Sequence, residues 1–445
     1  MNSTIYSYFD SPENYEKKHD FYDAGSSPEL LKKLGWYIKR REAELDSIYL
    51  SFYLYNNLRL HNYFKKLANA GVKINVVSIP LDGYDNSNPK PIKSRTDKNN
   101  PAFNQPKTKH DLAAELYNDI KTNTSDNYQL YIFPHMFIRS ARLKPFSRGK
   151  MPYSLHIKNG WIKFKNNKST AFLTSSNFAI RDLVKEENLI IVENHNELNR
   201  QLSTYFKHLI HNSINSKEFN PAADYFKYKL SECKANQFDD GIVTAAFYKD
   251  SPLLADRKIK DLVNGATERI YISAQHISCY HYSVPKKFKY GPGKSGYENH
   301  NGFLADVLKK AQQNTEVKIL SQTFVDELGK SHNCRQPANK NSFTEFIKAC
   351  ARIPSVRIFA NEDVHSKFII VDDKLIITTF NYTPTQFIYL PFVEIPEFNE
   401  IEGIQYKGIF AEVGQLFIVR DSKVVQSYVN KFNELCRNKK TYQHK

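Results

Sequence analysis

Residues 154–177 read SLHIKNGWIKFKNNKSTAFLTSSN, and residues 363–381 read DVHSKFIIVDDKLIITTFN. Each stretch holds a His-x-Lys, a strand-forming run, a turn, a second such run, and a hydroxyl residue two places before an Asn. In the first these are His156, Lys158, Ser175 and Asn177; in the second, His365, Lys367, Thr379 and Asn381, with Asp372 seven residues after His365. A His-x-Lys tripeptide alone carries little information. Two of them, each opening a hairpin that ends in Ser/Thr-x-Asn, carry much more. Residues i and i+2 of a strand share a face, so each His is expected beside its Lys, with the hairpin returning the Asn to the same place.

The surroundings of the two stretches repeat as well. ELDSIYLSFYLYNN (44–57) reads as a strand that follows a helix over 29–41, and TERIYISAQHIS (267–278) as a strand that follows a helix over 254–264. Next come an amphipathic helix, a turn and a β-branched strand in 62–80 and again in 303–324, with Gly71 and Asn314 in the turns. Insertions (82–109 and 325–342), a helix and a strand follow, and each half closes on a strand and a helix (188–210 and 414–436). Alternation of this kind, twice over, predicts an α/β protein of two similar domains, mixed β-sheets flanked by helices, packed pseudo-symmetrically around one shared site. The polar seam at 212–240 puts the domains at 1–225 and 226–445.

Composition narrows the function classes. The 445 residues are 41% hydrophobic, ample for a core. No apolar run approaches a membrane span, and the N-terminus lacks a basic stretch followed by an apolar one, so neither membrane insertion nor a signal peptide is expected. Five scattered cysteines without a Cys-x-x-Cys argue against a disulfide framework or zinc ribbon and fit a cytoplasmic location. The 63 Lys and Arg outnumber 47 Asp and Glu, for a net charge of +16, which favours a polyanionic partner.

The charge has a pattern. Between Asn127 and Ile180 there is no acidic residue, whereas Arg139, Arg142, Lys144, Arg148, Lys150, Lys158, Lys163, Lys165 and Lys168 are all basic. Residues 280–299 interleave Lys286, Lys287, Lys289 and Lys294 with tyrosines. Basic side chains among aromatics suit phosphate contacts and base stacking. Two facing His, Lys and Asn sets would surround a tetrahedral oxyanion such as a phosphodiester. The lysines would neutralise its oxygens and the amides donate hydrogen bonds, while one imidazole attacks phosphorus and the other protonates the leaving oxygen. No metal or other cofactor is needed for this chemistry.

The arrangement resembles the phospholipase D superfamily, with its paired H-x-K-x4-D motifs, each followed by a Gly/Ser-x-Asn segment. The resemblance runs over nearly the whole chain, and HSKFIIVD is a close match. It implies a covalent phosphohistidine intermediate, His156 as nucleophile and His365 as general acid. It also implies a glutamate after each Asn that orients a catalytic histidine, for which Glu187 and Glu412 stand in the right neighbourhoods. There are departures. Lys163 occupies the place of the first motif's Asp, as in tyrosyl-DNA phosphodiesterases, which also lack it. Thr174 and Thr378 stand at the Gly positions, and the first hairpin is longer, with its tip at 166–168.

The charge map then favours a metal-independent nuclease acting on DNA or RNA. The alternatives are a phospholipase or phosphatidyltransferase, and a nucleic-acid-binding protein with a degenerate site. By analogy with the superfamily, an NTPase or helicase is a candidate partner.

Overall fold

The computed structural model describes residues 3–12, 29–53, 55–78, 109–133, 155–178, 185–211, 213–218, 236–239, 243–248, 252–285, 297–322, 324–325, 331–332, 342–383, 389–391, 408–410 and 414–444. These form two compact units, one from the residues up to Glu218 and one from those beginning at Asn236. The expected boundary at 225/226 falls outside the described residues.

In the first unit the strands are β1 (Thr4–Asp10), β2 (Leu45–Phe52), β3 (Lys73–Ser78), β4 (Tyr128–Ile132), β5 (Lys158–Phe164), β6 (Ser169–Thr174), β7 (Glu187–Glu193) and β8 (Ile214–Asn215). They make one sheet in the order β1-β7-β6-β5-β2-β3-β4-β8. Strands β2, β3 and β4 are parallel, connected through α2 (Leu58–Asn69) and α3 (Lys109–Asn123). The β5–β6 hairpin and β7 add antiparallel to β2. Helices α1 (Glu29–Lys39) and α4 (Asn196–His211) complete the unit.

The second unit repeats this order. Its strands are β9 (Asn236–Asp239), β10 (Val243–Tyr248), β11 (Arg269–Ala274), β12 (His281–Pro285), β13 (Tyr297–Asn301), β14 (Glu316–Ser321), β15 (Phe324–Val325), β16 (Ser331–His332), β17 (Val356–Ala360), β18 (Phe368–Val371), β19 (Lys374–Thr378), β20 (Tyr389–Pro391), β21 (Gly408–Phe410), β22 (Gly414–Val419) and β23 (Tyr442–Gln443). The main sheet runs β23-β17-β14-β11-β18-β19-β22-β10-β9, the first unit's order with β9 added at one edge. The other strands form three separate two-stranded antiparallel sheets, β12–β13, β15–β16 and β20–β21. Its helices are α5 (Pro252–Asn264), α6 (Phe303–Gln312), α7 (Ser342–Cys350) and α8 (Ser422–Arg437).

The duplication is therefore one of strand order, parallel set and hairpin alike. Gly71 and Asn314, the residues expected in the equivalent turns, both adopt left-handed backbone, φ 93° and 69°. That conformation ends α2 and α6 and sends the chain back as a parallel strand. Each sheet buries its Val, Ile, Leu and Phe residues against its own helices in a separate core. In the first core, a Cβ on Gly160 would come within 2.2 Å of Phe172 and 2.8 Å of Leu50, so only glycine lets β5 pass between them.

Candidate active site

In open α/β sheets, ligands gather outside the carboxyl ends of the parallel strands. The motif residues lie there in each unit. In the first, Phe52 at the end of β2 pairs with Lys158 at the start of β5. Thr174 ends β6 beside the start of β7, with the Ser175 N–H donating to the Asn188 carbonyl at 3.1 Å. In the second, the Thr378 N–H donates to the Lys367 carbonyl at 3.1 Å and the Thr379 N–H to that of Gln415 at 3.3 Å. Register thus equates Lys158 with Lys367, Ser175 with Thr379, and Asn177 with Asn381, the correspondence expected from sequence.

One detail differs from the expectation. His156 and His365 precede β5 and β18 and are not on them, because β2 and β11, the strands that would pair with them, have already ended; Lys367 also precedes β18, beside the last residue of β11. They belong to the extended approach to the hairpin, where the Tyr53 N–H still donates to the Ile157 carbonyl at 3.1 Å.

Both lysines are fully buried. Burying an ammonium is costly without compensating partners. Lys158 Nζ lies 5.9 Å from the centre of the Tyr53 ring, and that ring meets the His156 imidazole edge-to-face at 5.5 Å. Lys367 Nζ donates to the carbonyl of His365. In the first half-site the lysine and the imidazole thus flank one tyrosine ring, and in the second the lysine holds the backbone of the motif histidine. The Asn177 and Asn381 Oδ1 atoms and Thr379 Oγ1 are buried without a hydrogen-bond partner among the described residues, so these groups keep capacity for a ligand.

Glu187 is buried and accepts a hydrogen bond from Ser175 Oγ, which in turn accepts the Asn188 N–H at 2.9 Å. This carboxylate is tied into the turn that carries Asn177. Register places Gly414, the first residue of β22, opposite this position in the second unit; Glu412 lies outside the described residues.

Asp372 is placed elsewhere. It occupies the β18–β19 turn, at the far end of the hairpin from Lys367, and its carboxylate binds the backbone at the start of β11. Its motif counterpart Lys163 lies along β5, roughly 16 Å from Lys158 at about 3.3 Å per residue. Lys163 pairs with Asp46 at 3.4 Å and Lys165 donates to the Ala43 carbonyl at 3.0 Å, while Lys168 is exposed. The structure thus brings His156, Lys158, Ser175, Asn177 and Glu187 together, and likewise His365, Lys367, Thr379 and Asn381. It leaves Lys163, Lys165 and Lys168 at the opposite end of their hairpin. Arg139, Arg142, Lys144, Arg148, Lys150, Lys286, Lys287 and Lys289 lie outside the described residues.

Sequence reasoning missed Tyr53 and Asn57. Asn57 was signalled as a helix cap before the apolar period of α2. Tyr53 carried no signal beyond being the aromatic that follows a strand aimed at the site.

No family model matches the chain, and no curated protein does. Solved structures do. The phosphatidylserine synthase of Haemophilus influenzae Rd KW20 aligns over 92% of this chain and 85% of its own, with a TM-score of 0.51 and 12% identity. The fold is phospholipase D-like. Polyphosphate kinase from Porphyromonas gingivalis aligns over 99% of this chain with a TM-score of 0.47 and 10% identity, and this chain spans about half of that protein, 48%. Nuc from Salmonella typhimurium, a phospholipase D family member, covers 46% of this chain and 97% of its own, at 13% identity and a TM-score of 0.26. Among the described residues, no helix is long and apolar enough to cross a membrane.

Proposed function

We propose that the protein is a metal-independent phosphodiesterase that cleaves DNA or RNA through a covalent phosphohistidine. The observation that carries this reading is the repeated half-site: an imidazole, a buried ammonium and an amide with an open acceptor, at register-equivalent positions on a phospholipase D-like sheet. In the proposed cycle the His156 imidazole nitrogen forms a bond to phosphorus as the bond to the leaving oxygen breaks. His365 gives that oxygen a proton. His365 then takes a proton from water, whose oxygen displaces the imidazole and restores His156. The lysines balance the charge on the non-bridging oxygens. The net charge of +16 and the acid-free stretch around the first motif support a nucleic acid as the substrate.

A phosphatidyltransferase is the second reading, favoured by the likeness to phosphatidylserine synthase. The test offers labelled DNA, RNA and phosphatidylcholine vesicles to the protein in EDTA. Cleavage of nucleic acid that disappears in both His156→Ala and His365→Ala supports the first reading. Release of phosphatidic acid with nucleic acid left intact replaces it with the second. Nucleic-acid binding without turnover of any substrate leaves a binding protein.

A further inference from the structure

Asn177 stands in a tight turn, Ser176–Asn177–Phe178. The Ser176 N–H donates to Thr174 Oγ1 at 3.1 Å, and the Phe178 N–H to Ser176 Oγ at 2.8 Å. Phe178 is fully buried against Phe52 and Phe172, yet its φ is 55°. A bulky residue in that region costs about 1–3 kcal/mol and persists only where its surroundings impose it. One imposing group is visible: Asn57 Nδ2 donates to the Phe178 carbonyl at 2.6 Å. The same amide uses its oxygen to accept the Leu60 N–H at 2.9 Å, capping α2.

The second unit solves the same problem differently. Tyr382 is the residue after Asn381. Its N–H donates to the His276 carbonyl at 3.0 Å and its carbonyl accepts the Ser278 N–H at 2.8 Å, a backbone bridge to the loop after β11. Both units thus tie the residue after the motif Asn to the loop that follows the strand facing it. In the second unit the tie is made by backbone and survives substitution. In the first it includes one side chain.

We infer that Asn57 is a positioning residue for Asn177: its amide locks Phe178 in the left-handed conformation that holds the Asn177 side chain in the half-site. The two ends of this amide have separate tasks, and chemistry can separate them. Asp keeps the capping oxygen but has no donor for the Phe178 carbonyl, and Ser keeps a cap but is too short to span to it. Neither needs to disturb the helix.

The inference rests on the phosphodiesterase reading only for its kinetic readout. Asn57→Asp and Asn57→Ser are compared with wild type on bis(p-nitrophenyl) phosphate in EDTA, with melting temperatures taken alongside. A misplaced catalytic group costs up to about 100-fold, so both variants should lose about 10- to 100-fold in kcat, with KM little changed and melting within a few degrees of wild type. Unchanged kcat in both overturns the inference and makes Asn57 a helix cap alone. If wild type turns over no phosphodiester, the functional reading fails by itself, and crystal structures of the same proteins decide. A Phe178 that leaves the left-handed region in Asn57→Asp, carrying the Asn177 amide with it, upholds the inference. An unmoved turn overturns it.

Discussion

The Asp372 carboxylate accepts the Arg269 N–H at 3.0 Å, across 103 residues of sequence. The same carboxylate takes the Glu268 N–H at 2.9 Å and both the N–H and the hydroxyl of Thr267, at 2.9 and 3.1 Å. The acidic residue of the second motif is thus a clasp between the hairpin turn and the start of the central strand β11. The first unit closes the same gap with the opposite polarity. The Lys165 N–H reaches the Glu44 carbonyl at 2.8 Å, Lys165 Nζ reaches that of Ala43, and Asn166 reaches the Glu44 carboxylate. The clasp has been kept while its charge was exchanged, which explains how Lys163 can stand where a motif Asp is expected.

Removing the clasp should loosen the second unit locally. Partial burial alone would raise the Asp372 pKa, but the N–H groups of Arg269, Glu268 and Thr267 outweigh it and hold the carboxylate below its ordinary value of 3.8. A group whose folded pKa is depressed stabilises fully above its ordinary value and loses that contribution as pH falls through the folded one. Asp372→Ala is expected to cost about 1–3 kcal/mol at neutral pH, in line with hydrogen bonds to a charged group. The difference from wild type should shrink as pH falls below that ordinary value and through the lower folded one. Hydrogen exchange at the amides of Thr267, Glu268 and Arg269 measures it, and should speed up in the variant.

A pH effect of another kind is expected in the first unit. His61 is buried, with Nε2 2.8 Å from Asp119 Oδ2 and Nδ1 3.0 Å from the Tyr128 hydroxyl. Burial pushes its pKa down, and Lys65, bonded to the same Asp119, adds to that; the hydrogen bond and charge of Asp119 pull it back only in part. The folded state therefore favours the neutral ring. The stabilisation is complete above the ordinary value of 6.5 and is lost as pH falls through the lower folded value. Both tryptophans, Trp36 and Trp161, belong to the first unit, so their fluorescence reports its unfolding. The denaturation midpoint should fall from about pH 7 to about pH 5, and His61→Gln should flatten that slope while costing about 1–3 kcal/mol at neutral pH.

Much of this architecture was legible in the chain, for identifiable reasons. Helices α2 and α6 announce themselves by period, Gly71 and Asn314 by turn chemistry, and β18 by the unbroken run FIIV of a strand covered on both faces. The motif residues could be aligned because a hairpin fixes register. The edge strands were not legible. TIYSYFD of β1 was passed over because its pairing with β7, from Asp10 with Glu187 to Thr4 with Glu193, joins distant parts of the chain, which no local pattern records. What the basic residues of the first hairpin touch was not legible either. Composition counts Lys163 and Lys165 as positive charge, whereas Asp46 and the Ala43 carbonyl, more than 110 residues earlier, already engage them. The site's supporting residues, Tyr53 and Asn57, acquire meaning only when β2 is laid beside β5.

The buried lysines make a prediction in which activity and stability move apart. Lys158 and Lys367 are fully buried, and keeping an ammonium out of water carries a desolvation cost that an unbranched apolar side chain does not. Lys158→Met and Lys367→Met should therefore melt at or above the wild-type temperature. Turnover in EDTA should drop by about 10²–10³-fold, the usual loss when one group that stabilises transition-state charge is removed. Lys→Arg should not restore it, because a planar guanidinium does not fit a cavity shaped around an ammonium. Single-turnover rates together with differential scanning calorimetry check both parts. Retained turnover in either Met variant would remove that lysine from the chemistry.

Among the described residues the two half-sites are unequal in negative charge, and their titrations should differ accordingly. Glu187 is buried and bonded to Ser175 in the first unit, whereas Gly414 takes its register position in the second. A buried carboxylate in the half-site favours an imidazolium there. Replacing it with the isosteric amide, Glu187→Gln, should lower the pKa of the nearby histidine and leave the other unchanged. One limb of the pH–rate profile should therefore move to lower pH while the second stays in place. Histidine ring resonances, assigned by the His156→Ala and His365→Ala spectra, give the same answer without turnover. The prediction is a shift at His156 and none at His365. A shift of equal size at both would mean that the carboxylate acts through the field of the whole protein, and the inequality read from register would have no chemical consequence.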